Sequence, residues 1–387
     1  MQAKNNYLRG LTIAVSSIVL ATSVMAADVT DAQRTDGKSV AALTINPNIP
    51  DNPVLGKGPF GEEATSAKAL MLTADEVAKI RQGGYKAAIV MHYSGTDYMA
   101  AQVEAMKKTF ETLGIEVVAV TDALFKAERQ VADIETVLAT SPDVIVTVPV
   151  DPVSTAPAYK KAAAAGVKIV FMDGVANDME PGKDYVSLVS GDNYGNGIEA
   201  AEAMAAQLGG KGKVGVIFHD ADFFVTAQRT AAFEETIRSK YPDIELVARG
   251  GITGPNDGEK VASAMLTRYS DLDGIFVIWD VPAEGAVAAA RTSGNRDLVI
   301  TSTDLGTHAA LEIASDGILR GVGAQLPYDQ GVAQAMLAGY ALLEKDTPPY
   351  VATPALRVTK DNLLESWQLV YGQKAPEVVA QRLNKSN

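Results

Sequence analysis

From Lys86 onward the chain alternates between short continuous apolar runs and longer stretches of helical period. Ala87–Met91, Glu116–Val120, Val144–Val150 and Lys168–Phe171 read as buried strands, separated by helical patterns at Asp97–Leu113, 126–140 and 154–165. Gly114 and Gly166 stand where two of those helices should stop. A second series follows, with strands expected at Val214–Phe218, Ile244–Val247, Ile275–Ile278 and Val299–Ser302. Helices are expected at 195–208, 224–240, 256–269 and 283–293. Strands without polar alternation are covered on both faces, so the pattern predicts an α/β protein of parallel βαβ units. Two series suggest two copies of one architecture, although no sequence repeat links them.

Open parallel sheets bind ligands beyond the carboxyl ends of their strands. In this chain those positions hold His92 to Tyr98, Asp151, Asp173, His219-Asp220, Trp279-Asp280 and Asp304. A single aspartate there is as readily a helix cap or turn former. Acids and aromatics at nearly every strand end, in both series, point to one shared cleft. Carboxylates accept hydrogen bonds from hydroxyl groups, and a tryptophan face packs on the C–H face of a sugar ring. Trp279 beside Asp280 thus offers a flat apolar wall with an acceptor at its edge; the alternative makes Trp279 a core residue.

Length adds a prior of two lobes, since 387 residues exceed the usual single domain. A net charge of −13 argues against nucleic acid or an anionic membrane surface as partner. The chain has no cysteine, which excludes disulfides, thiolate catalysis and cysteine-ligated zinc. Lys4 and Arg9 precede an apolar run, Leu11 to Ala21, and Val24-Met25-Ala26 precede a cut expected before Ala27. Residues 1–26 therefore read as a signal peptide. The following stretch, to residue 84, reads as an extended proline-rich arm with Pro47, Pro50, Pro53 and Pro59, either draped over the first lobe or disordered.

Enzyme signatures are absent: neither series opens with G-x-G-x-x-G, and there is no P-loop and no G-x-S-x-G elbow. The three histidines, His92, His219 and His308, lack metalloprotease spacing. His92 and His219 end the first strand of each series and could meet across a cleft, as rim residues or as zinc ligands.

Several motifs carry a family resemblance: LGI at 113–115, VPVDP at 148–152, FMDG at 171–174, SGDNYGNG at 190–197, AQRTAAF at 227–233, STDLG at 302–306 and AQLPYDQG at 324–331. In this order and spacing, residues 86 to about 358 resemble the type I periplasmic sugar-binding proteins of ABC transporters, the ribose/galactose/xylose group. The resemblance implies two doubly wound lobes joined by a three-segment hinge. The first would comprise 85–191 plus 326–356, and the second 192–325 plus 357–387. It implies a monomer in the periplasm that binds a small neutral sugar or polyol, needs no cofactor or metal, and docks on a membrane permease. Delivery of a sugar or autoinducer to a signalling receptor is the alternative role; a glycoside-processing enzyme or a repressor fits less well.

Carried over position by position, the ligand contacts implied by the resemblance fall on Thr96 and Tyr98 of the first loop, then Asp173, Arg229, Trp279 or Asp280, Asp304 and Gln325; Tyr93, Asp97 and Asp151 are added as candidates from their places at the strand ends. One departure stands out. The ribose binders follow the aspartate of FMDG with an arginine, where this chain has Gly174.

Overall fold

The computed structural model describes residues 41–386; the expected signal peptide lies outside them. The arm contributes β1 (Leu43–Thr44), β2 (Thr65–Ser66), β3 (Met71–Leu72) and helix α1 (Ala74–Gln82). The first series runs β4 (Lys86–Met91), α2 (Asp97–Leu113), β5 (Glu116–Asp122), α3 (Ala127–Leu138), β6 (Val144–Thr147), α4 (Ala156–Ala164), β7 (Lys168–Met172) and β8 (Ser187–Gly191). The second begins with α5 (Asn193–Leu208), β9 (Gly212–His219), α6 (Phe224–Lys240), β10 (Ile244–Ile252) and α7 (Gly258–Arg268). It continues through β11 (Gly274–Val277), α8 (Asp280–Ser293), β12 (Val299–Thr303), α9 (Thr307–Ala314) and β13 (Leu319–Ala324). The chain ends with α10 (Pro327–Leu342), β14 (Tyr350–Thr353), β15 (Leu356–Val358), α11 (Leu363–Tyr371) and α12 (Glu377–Ser386).

The two series form two sheets, ordered β2-β14-β8-β7-β6-β4-β5 and β10-β9-β11-β12-β13-β15. Every pairing in the first is parallel. The second departs from the parallel expectation at one edge, where β15 runs antiparallel to β13. Leu356, assigned from sequence to the first lobe, already pairs with Ala324 of the second sheet. The strand expected over Val144–Val150 stops at Thr147, just before Pro149; proline has no amide hydrogen to continue the ladder.

The chain passes between the sheets at three places: Asp192 between β8 and α5, Gln325-Leu326 between β13 and α10, and Pro354-Ala355 between β14 and β15. The arm is more structured than its composition predicts. β1 pairs with β3, Thr73 and Glu76 form a capping box for α1, and Leu72, Val77 and Ile80 are fully buried. Its preceding segment is bonded to each crossing. The Leu55 and Gly56 amides donate to the Asp192 carboxylate at 2.9 and 2.8 Å. Asn52 Nδ2 donates to the Ala355 carbonyl at 3.3 Å, and the Asn46 amide to Asp329 Oδ1, just past the second crossing, at 3.3 Å. Gln228 Nε2 of α6 donates to the Lys57 carbonyl at 2.7 Å, tying the arm to the second lobe as well.

Candidate functional site

Two aspartates occupy equivalent places in the two sheets. Asp173 follows β7 and donates its amide to Val189 of β8; Asp304 follows β12 and donates to Gly323 of β13. Both adopt positive φ, 48° and 67°. Aspartate tolerates this left-handed region better than most residues, and such strain collects at functional sites. In each lobe the turn aims a carboxylate at the space between the sheets.

Side chains from both lobes converge there. Tyr98 Oη lies 2.8 Å from Asp173 Oδ2, 2.6 Å from Gln330 Oε1 and 3.3 Å from Gln325 Oε1. Ser190 Oγ donates to Asp173 Oδ1 at 2.6 Å and receives Asn193 Nδ2 at 2.9 Å. Arg229 extends the network: its Nε donates to Asn193 Oδ1 at 3.0 Å, and Nη1 to Thr303 Oγ1 at 2.8 Å and Asp304 Oδ2 at 3.1 Å. Gln325 Nε2 donates to Asp304 Oδ1 at 3.0 Å. The phenol has one proton and faces three acceptor oxygens. Two of these oxygens also accept amide hydrogens, Gln330 Oε1 from Gln102 Nε2 at 3.3 Å and Gln325 Oε1 from Gln330 Nε2 at 3.1 Å, so the spare acceptor capacity for hydroxyl donors rests with the carboxylates.

Two glycines explain how these side chains meet. A Cβ at Gly197 of α5 would lie 2.3 Å from the Arg229 carbonyl oxygen, so the close α5–α6 approach that brings Arg229 to Asn193 needs glycine there. A Cβ at Gly191 would lie 2.4 Å from Gln325 Oε1. Burial raises the Asp173 carboxyl above its usual range, opposed by the Ser190 and Tyr98 hydrogen bonds and the Arg229 charge. Side chains of Arg229 and Asp304 are only 3% and 13% exposed, so theirs is a desolvated ion pair.

Trp279 precedes α8 at the end of β11, half-buried, with its ring edge-on to His219 at 5.3 Å. His219 Nδ1 lies 3.2 Å from Thr226 Oγ1, and burial lowers the histidine's pKa. Phe223, not singled out from the sequence, continues this aromatic row 6.5 Å from His219. Asp280 Oδ2 accepts the Gly306 amide at 2.7 Å, and burial beside Asp304 pushes Asp280 up to about 8. Asp97 reaches the opposite lobe, where its Oδ2 accepts the Thr307 amide at 2.7 Å.

Other expected contacts are occupied locally. The Thr96 hydroxyl accepts the Met99 amide at 3.2 Å and so caps α2. Asp151 Oδ1 accepts the Ser154 hydroxyl, and the Ser154 amide at 2.6 Å; these bonds, the hydroxyl's first, hold this carboxyl below its usual range. Tyr93 stacks on Phe125 at 4.7 Å, and His92 meets the edge of the same ring at 5.0 Å, with burial lowering it to about 4. Among the described residues no group of three or more His, Cys, Asp or Glu side chains is placed to hold a metal. Ser190, Asn193 and Gln330 were missed as individuals, although they lie inside SGDNYGNG and AQLPYDQG.

Residues 87–346 match the periplasmic binding protein domain model. The ribose import binding protein of Salmonella typhimurium is 24% identical over 255 residues, covering 66% of this chain and 84% of that protein. A D-ribose/D-allose-binding protein of Pseudomonas aeruginosa is 28% identical over 237 residues, covering 59% and 74%. Among solved structures, an arabinose-binding protein from Geobacillus stearothermophilus superposes with a TM-score of 0.64 at 25% identity, covering 72% of this chain and 98% of that one. A solute-binding protein from Agrobacterium vitis bound to α-D-tagatopyranose gives 0.68 at 21% identity, covering 75% and 100%, and supports the fold. Two parallel-sheet lobes around a polar, acid-rich cleft define a bilobal receptor. The chain belongs to the type I periplasmic sugar-binding proteins.

Proposed function

We propose that this chain is a non-catalytic, exported solute receptor. It captures a neutral sugar or polyol between its lobes and delivers it, as a monomer in the periplasm, to an ABC import permease. The observation that carries the reading is the buried Arg229–Asp304 pair, extended by Gln325 to the same Asp304 carboxylate. Arginine and paired carboxylates held this way present fixed donors and acceptors to ligand hydroxyls. Asp173, Tyr98, Arg229, Asp304 and Gln325 would hold the polar edge of the ligand, with Trp279 as an apolar wall.

A hydrolytic role fits the site poorly. Glycoside cleavage needs one carboxyl as acid and a second free to attack or to activate water. Here Asp304 already accepts from Arg229 and Gln325, and Asp173 from Tyr98 and Ser190. Relatives named for ribose and D-allose support a polyhydroxylated neutral ligand. The test is a thermal-shift screen over pentoses, hexoses, polyols and inositols, since a ligand that binds only the native state stabilises it by mass action. Stabilisation by at least one of them is expected; a response confined to amino acids or peptides overturns the reading.

A further inference from the structure

Gly174 directly follows Asp173, and both are buried. Its φ lies outside the left-handed region, so glycine is not required here by backbone conformation. What fills the space is a ring from the other lobe. A Cβ at Gly174 would touch Phe223 Cε2 at 3.4 Å and lie 3.9 Å from Pro149 Cδ. That contact tolerates a methyl group, but a longer side chain would have to displace the ring.

Phe223 is extended (φ −134°, ψ 111°) just ahead of α6, which carries it out from the second lobe. The next residue, Phe224, packs against the first-lobe cluster that includes Val175 and Ala176. The two rings thus anchor the second lobe on the first beside the site acid. Where the resemblance places a guanidinium, this chain has the edge of a benzene ring, able neither to donate nor to accept a conventional hydrogen bond. A ligand hydroxyl pressed against it would be desolvated without a partner, whereas a methyl or methylene group would gain from burial.

We infer that the Phe223–Gly174 contact is a specificity element. It selects ligands presenting a carbon edge at this position, a deoxy sugar or a deoxy polyol, over fully hydroxylated parents. The inference rests on the solute-binding function proposed above. Gly174 keeps the space clear of any side chain that would reach the ligand, and Phe223 lines it.

Matched pairs that keep the same ring forms test this by calorimetry: D-galactose and D-fucose, L-galactose and L-fucose, L-mannose and L-rhamnose, D-ribose and 2-deoxy-D-ribose. The expected result is at least tenfold tighter binding of the deoxy member in the pair the protein accepts, in keeping with how strongly apolar pockets discriminate. Phe223→Ala should bring that ratio below threefold while leaving the ligand-free melting temperature within about 3 °C, as expected of a small stability change. The wild-type ratio is informative even if the variant fails to fold. Equal or tighter binding of the hydroxylated members overturns the inference. So does a ratio unchanged in Phe223→Ala, or an equal loss for both members, which would make Phe223 a lobe-closure contact alone. Those outcomes leave the solute-binding function standing; silence across every pair and the polyols overturns that function and this inference with it.

Discussion

Asp97 and Thr307 face each other across the two lobes: one carboxylate oxygen, Oδ2, accepts both the Thr307 amide at 2.7 Å and its hydroxyl at 2.8 Å. Asp97 opens α2 and Thr307 opens α9, so an acid of the first lobe caps a helix of the second. The positive end of α9 favours that charge. Such a bond exists only while the lobes are together. We therefore expect Asp97 to act as a latch, its Oδ2 being taken up by Thr307 beside the ligand contact expected from its place in the first loop.

Asp97→Ala should therefore weaken ligand binding. A lost helix cap is typically worth about 1 kcal/mol, which is roughly a fivefold rise in Kd. The change should appear as faster dissociation in stopped-flow traces, with the ligand-free denaturation midpoint nearly unmoved. An unaltered dissociation rate would remove the latch.

Arg229 is expected to matter twice. Its guanidinium holds Asn193, Thr303 and Asp304 together without any ligand, at 3% exposure. Breaking a buried ion pair by removing one partner typically destabilises by about 3–5 kcal/mol. Arg229→Ala should lose stability of that order in urea denaturation and weaken binding at least tenfold. Normal stability with lost binding would mean that Asp304 relaxes into solvent when unpaired.

Tryptophan emission separates the two indoles. Trp367 is buried in α11 against Tyr371, 4.4 Å between rings, whereas Trp279 is half-buried beside His219 at the strand ends. In a Trp367→Phe background, saturating ligand should shift or quench the remaining emission. Trp279→Ala should reduce affinity by about 1–3 kcal/mol through lost apolar contact. Silent emission combined with a large loss of folding stability would place Trp279 in the core instead.

Stability should fall between pH 6.5 and 8. Asp280 is raised to about 8 and Asp329 to about 7, both chiefly by burial, from an ordinary value of 3.8. The unfolded chain releases these protons near pH 4 and the folded one much later, so their contribution is full below pH 4 and lost as pH rises through 7 and 8. His92, lowered to about 4, and His219, also lowered, act oppositely, adding stability up to about pH 6.5, where free histidine has given up its proton. Above that the carboxyls alone set the slope. Asp280→Asn keeps an acceptor for the Gly306 amide and should flatten the melting-temperature profile from pH 6.5 to 8. An unchanged slope would assign the effect to other groups.

How much of this was legible beforehand depends on whether a residue's partner is near in sequence. Continuous apolar runs such as KAAIVM of β4 and KIVFM of β7 declare buried strands. SLVSG of β8 does not, because its serines are buried only with distant partners: Ser187 Oγ donates to the Pro348 carbonyl and Ser190 Oγ to Asp173. Motif order led to Asp173, Arg229, Asp304 and Gln325, which the structure brings into one network. It could not separate Thr96 and Asp151, occupied within their own turns, from acids and hydroxyls free to face the cleft, since capping and ligand binding favour the same residue types at strand ends. Phe223 stayed hidden because its meaning depends on Gly174, on the other lobe.

The arm has a mechanical consequence. Two bodies joined by three connecting segments can bend toward each other and can also twist. Residues 46–57 are bonded to Asp192, Ala355 and Asp329, and through Lys57 to α6, so they act as a fourth tie across the joint. For the closure that the proposed ligand capture requires, we expect such a tie to favour flexion over torsion: a single-axis swing that brings Asp97 to Thr307 and Phe223 to Gly174.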